Sequence, residues 1–206
     1  MINNLEHIKP LLDFQEPGDF YMLYVLKRKK DQPEGERDNH QSVRTIRSYC
    51  IESVEQLERR YEEIQQLCEM FKARAYIHVQ CQNHRDVALN MMVALAQRIQ
   101  DGNMKQSGLF ESVVGQIKTR EKRWIVDIDT KDEIVVHRVA HIIDSSVRPE
   151  GPKIEAVIPT KNGYHFITKC FDVSTFTNKM LHTQGEVPDI QKKNPTLLYY
   201  PNSLEN

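Results

Sequence analysis

The chain has 206 residues and a formal net charge of −1, with 39% hydrophobic and 28% charged residues. This composition is ordinary for a globular protein of one large domain or of two lobes that share a core, and it excludes a largely disordered chain. The nearly balanced charge also argues against a histone-like polycation that binds nucleic acid by bulk charge alone.

The sequence has few signs of a membrane or secreted protein. Its apolar runs are too short to cross a bilayer, and its first residues lack the basic head and long apolar core of a secretory signal. The four cysteines form no Cys-x-x-Cys pair, which argues against a zinc knuckle and a disulfide framework. We therefore expect a cytoplasmic protein that makes no membrane contact.

The first half of the chain is predicted to alternate between strands and helices. Ser53 and Gln56 form a capping-box pattern at a helix start. The polar run 30–41, with Pro33 and Gly35, predicts an exposed loop that is disordered without ligand. The predicted elements are strands at 20–29 and 43–51, a helix at 53–72, a strand at 74–80 and a helix at 83–102.

The second half is predicted to follow a β-α-β-β-α-β order. The Asn162-Gly163 pair between two apolar segments is a strong hairpin signal. The predicted elements are a short helix at 108–117, a strand at 123–129, a helix at 131–145, strands at 154–160 and 164–170, a helix at 173–182 and a strand at 196–200. The sequence thus predicts an α+β fold, with an N-terminal α/β lobe at 1–105 and a split β-α-β lobe like the RNA-recognition motif at 106–206, in one compact unit.

Two carboxylates lie at the end of the predicted strand 123–129. Asp127 and Asp129 are two residues apart, so their side chains are expected on the same side of the strand. Like charges this close repel unless a cation lies between them, and Mg²⁺ or Mn²⁺ is the cation that carboxylates and substrate phosphates bind together. The alternative is a strand that runs out into an acidic turn.

The predicted hairpin contains a second group of polar residues. Thr160, Lys161, Gly163 and His165 supply a hydroxyl, an ammonium, a flexible turn and an imidazole within one bend of the chain. These groups suit an anion such as a triphosphate. The alternative is a surface hairpin in which His165 points into the core.

Together the two motifs resemble the archaeo-eukaryotic primase (primase-polymerase) superfamily, in its compact microbial and viral form. That family has an acidic pair on the first strand of a lobe like the RNA-recognition motif, then a small or hydroxyl residue, a basic residue and a glycine before a histidine, and then a third acid. Asp127, Asp129, Thr160, Lys161, Gly163 and His165 match the first two motifs. The third acid is assigned to Asp189, with Asp172 as the alternative and as a candidate helix cap.

This resemblance implies a nucleotidyltransferase that adds nucleotides on a nucleic-acid template. Asp127, Asp129 and Asp189 would bind Mg²⁺ or Mn²⁺, and the hairpin would contact the phosphates of a nucleoside triphosphate. A single-stranded template would lie along basic residues, and a separate helicase is a possible partner. The residues assigned to the template are Lys29, Lys30, Lys122 and Arg123.

Two alternatives share part of this site. A catalytically silent nucleic-acid-binding or replication accessory protein would keep the fold without the reaction. A metal-dependent nuclease would use the acids but would not need the hairpin.

Overall fold

The computed structural model describes residues 1–32, 43–103, 105–183 and 185–204. These residues form six α-helices and two antiparallel sheets, which confirms the mixed α+β class. Most of the loop predicted to be disordered, residues 33–41, lies outside the described part of the chain. No helix within the described part is long and apolar enough to span a bilayer.

The strands and helices are numbered in chain order. The strands are β1 (Ile2–Asn3), β2 (Asp19–Arg28), β3 (Val43–Ile51), β4 (Arg74–Ile77), β5 (Gln82–Asn83), β6 (Arg123–Ile128), β7 (Ile154–Pro159), β8 (Tyr164–Lys169), β9 (Asp189–Gln191) and β10 (Thr196–Tyr200). The helices are α1 (Leu5–Ile8), α2 (Val54–Phe71), α3 (His84–Gln100), α4 (Leu109–Gln116), α5 (Glu133–Ser146) and α6 (Val173–His182).

The first sheet has the strand order β1-β10-β4-β2-β3, and β5 pairs with the beginning of β2. Helix α2 packs on one face of this sheet through Leu57, Ile64 and Cys68. Its start is capped as predicted, because the Ser53 hydroxyl accepts a hydrogen bond from the Gln56 N–H at 3.1 Å. The opposite face of the sheet is covered only in part, by α3 and α4.

Strand β10 lies in the first sheet, whereas the sequence placed it at the end of the second lobe. All five of its side chains are buried, which suits an interior strand that is covered on both faces. The prediction assigned it to the second lobe because it follows that lobe along the chain. Burial on both faces instead favours its position between β1 and β4.

The second sheet has the strand order β7-β8-β6-β9. Its last strand is the three-residue β9, which the sequence did not predict because Asp189 and Gln191 give it little strand character. One face of the sheet, including Val126 and Phe166, packs against α5 and α6. The other face packs against the core of the first sheet through residues such as Ile125 and Ile167.

Arg123 joins the two sheets at the start of β6. Its guanidinium donates to the Leu11 carbonyl at 2.9 Å and to the Val79 carbonyl at 3.3 Å, and it pairs with Glu155 at 2.6 Å. The side chain is only 13% exposed. A buried cation with these partners fixes how the two sheets meet, because any rotation between them would leave charged and carbonyl groups unpaired.

Candidate functional site: the cleft between the two sheets

A cleft of about 410 Å³ opens between the two sheets. The first sheet provides basic and aromatic side chains, and the second provides both acids of the predicted pair. The residues that line the cleft include Arg28, Arg74, Tyr76, Asp127, Asp129, Thr160, Lys161, His165, Gln191 and Tyr200.

Asp127 lies at the centre of a row of polar residues that crosses the second sheet. In the strand register, Asp127 is directly opposite His165 on β8 and directly opposite Asp189 on β9. Paired residues of an antiparallel sheet point to the same side, so all three are on the face away from α5 and α6. Asp129 follows the end of β6, and both it and Asp127 line the cleft.

The Asp127 carboxylate has two close partners. One oxygen is 3.4 Å from His165 Nε2, and the other accepts a hydrogen bond from Gln191 Nε2 at 3.1 Å. The His165 contact is the largest cause that lowers the pKa of Asp127; burial acts in the opposite direction, and the charge of Arg28 adds to the lowering. Asp127 is therefore an anion at neutral pH, and as such it can attract a cation or orient the imidazole.

His165 connects the two sheets at the base of the cleft. Its Nδ1 is 2.9 Å from the hydroxyl of Thr196 on β10, and its Nε2 faces Asp127. The residue is 9% exposed, yet it lines the cleft. The imidazole is therefore both a buried residue of the sheet interface and a group that a ligand in the cleft would meet.

The hairpin between β7 and β8 holds its own turn together. The Gly163 N–H donates to the Thr160 hydroxyl at 3.1 Å, and the Thr160 N–H donates to the Gly163 carbonyl at 2.8 Å. A Cβ atom at Gly163 would be 1.8 Å from the Ile128 carbonyl oxygen and 2.7 Å from the Thr130 nitrogen. The glycine is thus required by a close approach of the turn to the end of β6, just beside Asp129.

Lys161 reaches from this hairpin to the first sheet. Its ammonium donates to the Tyr200 hydroxyl at 3.0 Å and lies 5.3 Å from the centre of the same ring. Arg74 lies over that ring too, with its guanidinium carbon 4.9 Å from the centre. Two cations therefore meet at one aromatic side chain in the cleft wall.

Arg74 is a cleft residue that the sequence did not reveal, and Arg28 belongs to the basic segment 27–30, which the sequence placed beside a template and not beside the acids. Arg74 pairs with Asp31 at 2.6 Å, and both side chains are less than a tenth exposed, but the Nε of Arg74 has no hydrogen-bond partner among the described residues. Arg28 is an exposed residue at the end of β2. A single arginine in a strand has no distinctive spacing, so only the folded sheet shows that these two face Asp127 and Asp129.

The two candidates for the third acid have different positions. Asp189 is exposed and adjacent to Asp127 in the sheet, but it does not line the cleft; Gln191, two residues later, does. Asp172 caps α6, because it accepts a hydrogen bond from the Thr175 N–H at 3.1 Å. The position of Asp172 thus matches the helix-cap interpretation.

The residues assigned to the template are not equivalent. Lys29 and Lys122 are exposed, and Lys29 follows the cleft residue Arg28 directly. Arg123 forms the buried bridge between the sheets, so its guanidinium already has carbonyl and carboxylate partners. Lys30 lies in a 3₁₀ turn, and its side chain is outside the part of the chain that the structure describes.

Comparisons of the chain with protein-family models, curated proteins and solved structures give no match. Among the described residues, no three His, Cys, Asp or Glu side chains are grouped closely enough to hold a metal ion by themselves. The functional conclusion therefore depends on the cleft alone.

Proposed function

We propose that the protein is a metal-dependent nucleotidyltransferase of the primase-polymerase kind, which transfers nucleotides on a nucleic-acid template. The observation that carries this proposal is that Asp127, Asp129 and His165 line a cleft that also holds three basic side chains, while Asp189 is beside Asp127 on the neighbouring strand β9. Phosphoryl transfer requires acidic side chains that bind a cation and basic side chains that bind the phosphates.

The strand order of the second sheet supports this assignment. We propose that the order β7-β8-β6-β9, with α5 and α6 on one face, is the split β-α-β arrangement of a lobe like the RNA-recognition motif. Part of the face opposite the helices packs on the core of the first sheet, and the rest of that face lines the cleft. Asp127 and His165 are on that face.

The acidic residues fit Mg²⁺ or Mn²⁺. These ions prefer oxygen ligands and are usually bound by one or two carboxylates together with substrate phosphates, so a complete protein cage is not required. Asp127 and Asp129 offer two carboxylates at the cleft wall, and Asp189 is adjacent on β9. The bound ion would neutralise charge on the phosphates and on the attacking hydroxyl.

The basic residues suit the triphosphate of a nucleotide. Lys161 and Arg74 meet at Tyr200, and Arg28 lies on the same side of the cleft. Within the described residues the buried Nε–H of Arg74 has no acceptor, and a phosphate oxygen that reached it would supply one. Thr160 holds the turn that positions Lys161, and His165 is within the lining to donate to a phosphate.

Template contacts are proposed at the exposed lysines. Lys29 adjoins the cleft through Arg28, and Lys122 precedes β6. Each phosphate contact of this type releases a counterion, so template binding would weaken as the salt concentration rises. A helicase partner would supply the unwound strand.

One observation favours a second function, that of a nucleic-acid-binding accessory protein without catalysis. Gln191 occupies the cleft position beside Asp127, and its amide donates to the carboxylate that the metal would need. The Asp189 side chain is outside the cleft lining. A protein that only binds nucleic acid would keep the basic cleft and would have no need for the cation.

Nucleotide incorporation on a primed single strand in Mn²⁺ separates the two functions. Asp129→Asn should abolish incorporation and weaken Mn²⁺ binding measured by calorimetry, with an unchanged thermal unfolding midpoint, since Asp129 is exposed and supports no core contact. Asp101→Asn, an exposed substitution at the end of α3, is the matched control and should change neither. If the wild-type protein binds the strand but incorporates no nucleotide, the result favours the accessory function.

A further inference from the structure

A second cavity, of about 190 Å³, lies between the first sheet and α4. Tyr24 lines this cavity, and its partner in the strand register is Tyr76, which lines the cleft. The cavity is therefore on the same face of the first sheet as the cleft, further along strands β2 and β4, and it shares no lining residue with the cleft. The lining used below comprises Met22, Tyr24, His78, Gln82, Glu111 and Val114.

One buried polar atom at this cavity, the side-chain oxygen of Gln82, has no hydrogen-bond partner in the described part of the chain. Gln82 is 9% exposed, and its amide donates to the Val114 carbonyl at 3.4 Å, but its carbonyl oxygen is buried without a partner. Rotation about the Cγ–Cδ bond, which has a broad torsional minimum, would turn this oxygen towards the cavity and would exchange the long hydrogen bond to Val114 for one to a ligand. A buried acceptor without a donor costs free energy that a ligand N–H would recover.

The remaining surface suits a flat, uncharged ring. Tyr24 and His78 form an edge-to-face pair with ring centres 5.8 Å apart, and Met22 and Val114 add apolar surface. Burial lowers the pKa of His78 to about 4, so the imidazole is neutral at pH 7. Glu111 and Lys193 contribute opposite charges, so the lining has no net charge.

We propose that this cavity binds an unpaired nucleobase that carries an exocyclic amino group, of the adenine or cytosine type. The amino group would donate to the Gln82 carbonyl and the Glu111 carboxylate, and the neighbouring ring nitrogen would accept from the Tyr24 hydroxyl. Proteins commonly read unpaired bases by hydrogen bonds to this edge while aromatic and apolar side chains contact the ring.

The test compares adenosine with purine riboside, which lacks only the amino group. We expect adenosine to bind the wild-type protein about tenfold or more tightly, because the loss of one buried hydrogen bond of about 1.4 kcal/mol corresponds to that factor. Calorimetry gives the affinities, and amide shifts in ¹⁵N-correlated spectra locate the site. The shifts should concentrate on His78, Gln82 and Gly115, all of which line the cavity.

Two variants test the contacts separately. Gln82→Met should remove the preference for adenosine. Tyr24→Phe keeps the ring and loses only a hydroxyl without a partner in the described structure, so it should weaken adenosine binding without loss of folding stability. Lys161→Met in the cleft is the control and should leave adenosine shifts at the cavity unchanged. The same variant should weaken nucleoside triphosphate binding in the cleft, so it tests the proposed function separately from this inference.

A short oligoadenylate distinguishes the two possible sources of the base. If adenosine alone saturates the cavity, the ligand is a free nucleoside. If only the oligonucleotide produces the shifts, and Tyr24→Phe weakens oligonucleotide binding, the base belongs to a nucleic-acid strand. Either result supports the inference. Equal measurable affinities for adenosine and purine riboside, shifts confined to the cleft, or no shifts with both adenosine and the oligoadenylate would overturn it.

Discussion

The close approach at Gly163 predicts a large effect from the smallest possible substitution. In Gly163→Ala the new Cβ would lie 1.8 Å from the Ile128 carbonyl oxygen, and relief to 3.0 Å requires the turn to move by about 1.2 Å. The obstructing atoms belong to the backbone, so no side-chain rotation removes the clash. Overpacking of this kind costs about 1–3 kcal/mol, and we expect the upper end of that range.

The assay is urea unfolding followed by circular dichroism, together with nucleotide affinity. Gly115→Ala is the matched control, because a Cβ at that helical position meets no atom within 4 Å. It should raise the free energy of unfolding by about 0.5–1 kcal/mol, since alanine is the better helix former. Gly163→Ala should also weaken nucleotide binding, because the turn carries Lys161. An unfolding free energy within about 0.5 kcal/mol of the wild type would refute the reasoning.

Three further predictions concern other parts of the molecule. Arg123→Met should lower the free energy of unfolding by about 2–4 kcal/mol, because Glu155 and two carbonyls lose their partner. If the variant keeps its stability and changes the salt dependence of template binding, Arg123 belongs to the nucleic-acid interface. A fall from pH 7 to pH 5 should lower the free energy of unfolding by about 1–2 kcal/mol through His78, because its imidazole binds a proton in the unfolded chain but not in the folded protein, where its pKa is lowered. The pH dependence of unfolding of His78→Phe should lack this component. Lys161→Met should weaken nucleoside triphosphate binding by about ten- to a hundredfold, through the loss of one charge-assisted contact, and equal affinity in a calorimetric titration would remove Lys161 from the site.

The sequence predicted the elements that have a clear period or cap. Helix α2 was placed to within a residue or two because Ser53 caps it and apolar residues recur at helical spacing. Strand β6 and the β7–β8 hairpin were likewise found, and they carry Asp127 and His165. The residues of the cleft that lie on these elements were therefore visible before the fold was known.

The rest of the site depends on contacts between distant segments. Arg74 faces the cleft only because β4 and β10 are neighbours, and the sequence placed β10 elsewhere. The sequence predicts Gly163 as part of a flexible Asn-Gly turn. In the structure its N–H is bonded to Thr160, and glycine is needed there because another backbone segment passes close by, which no local pattern encodes.

The position of β10 has a consequence for how the molecule is made. Residues 196–200 complete the interior of a sheet whose other main strands, β2, β3 and β4, are synthesised more than a hundred residues earlier. Until that segment leaves the ribosome, β4 has an open edge that can pair with another chain. Such distant pairings slow folding, because the long loop must close before the contacts form. The growing chain is therefore expected to depend on chaperones to keep this edge apart from other nascent chains.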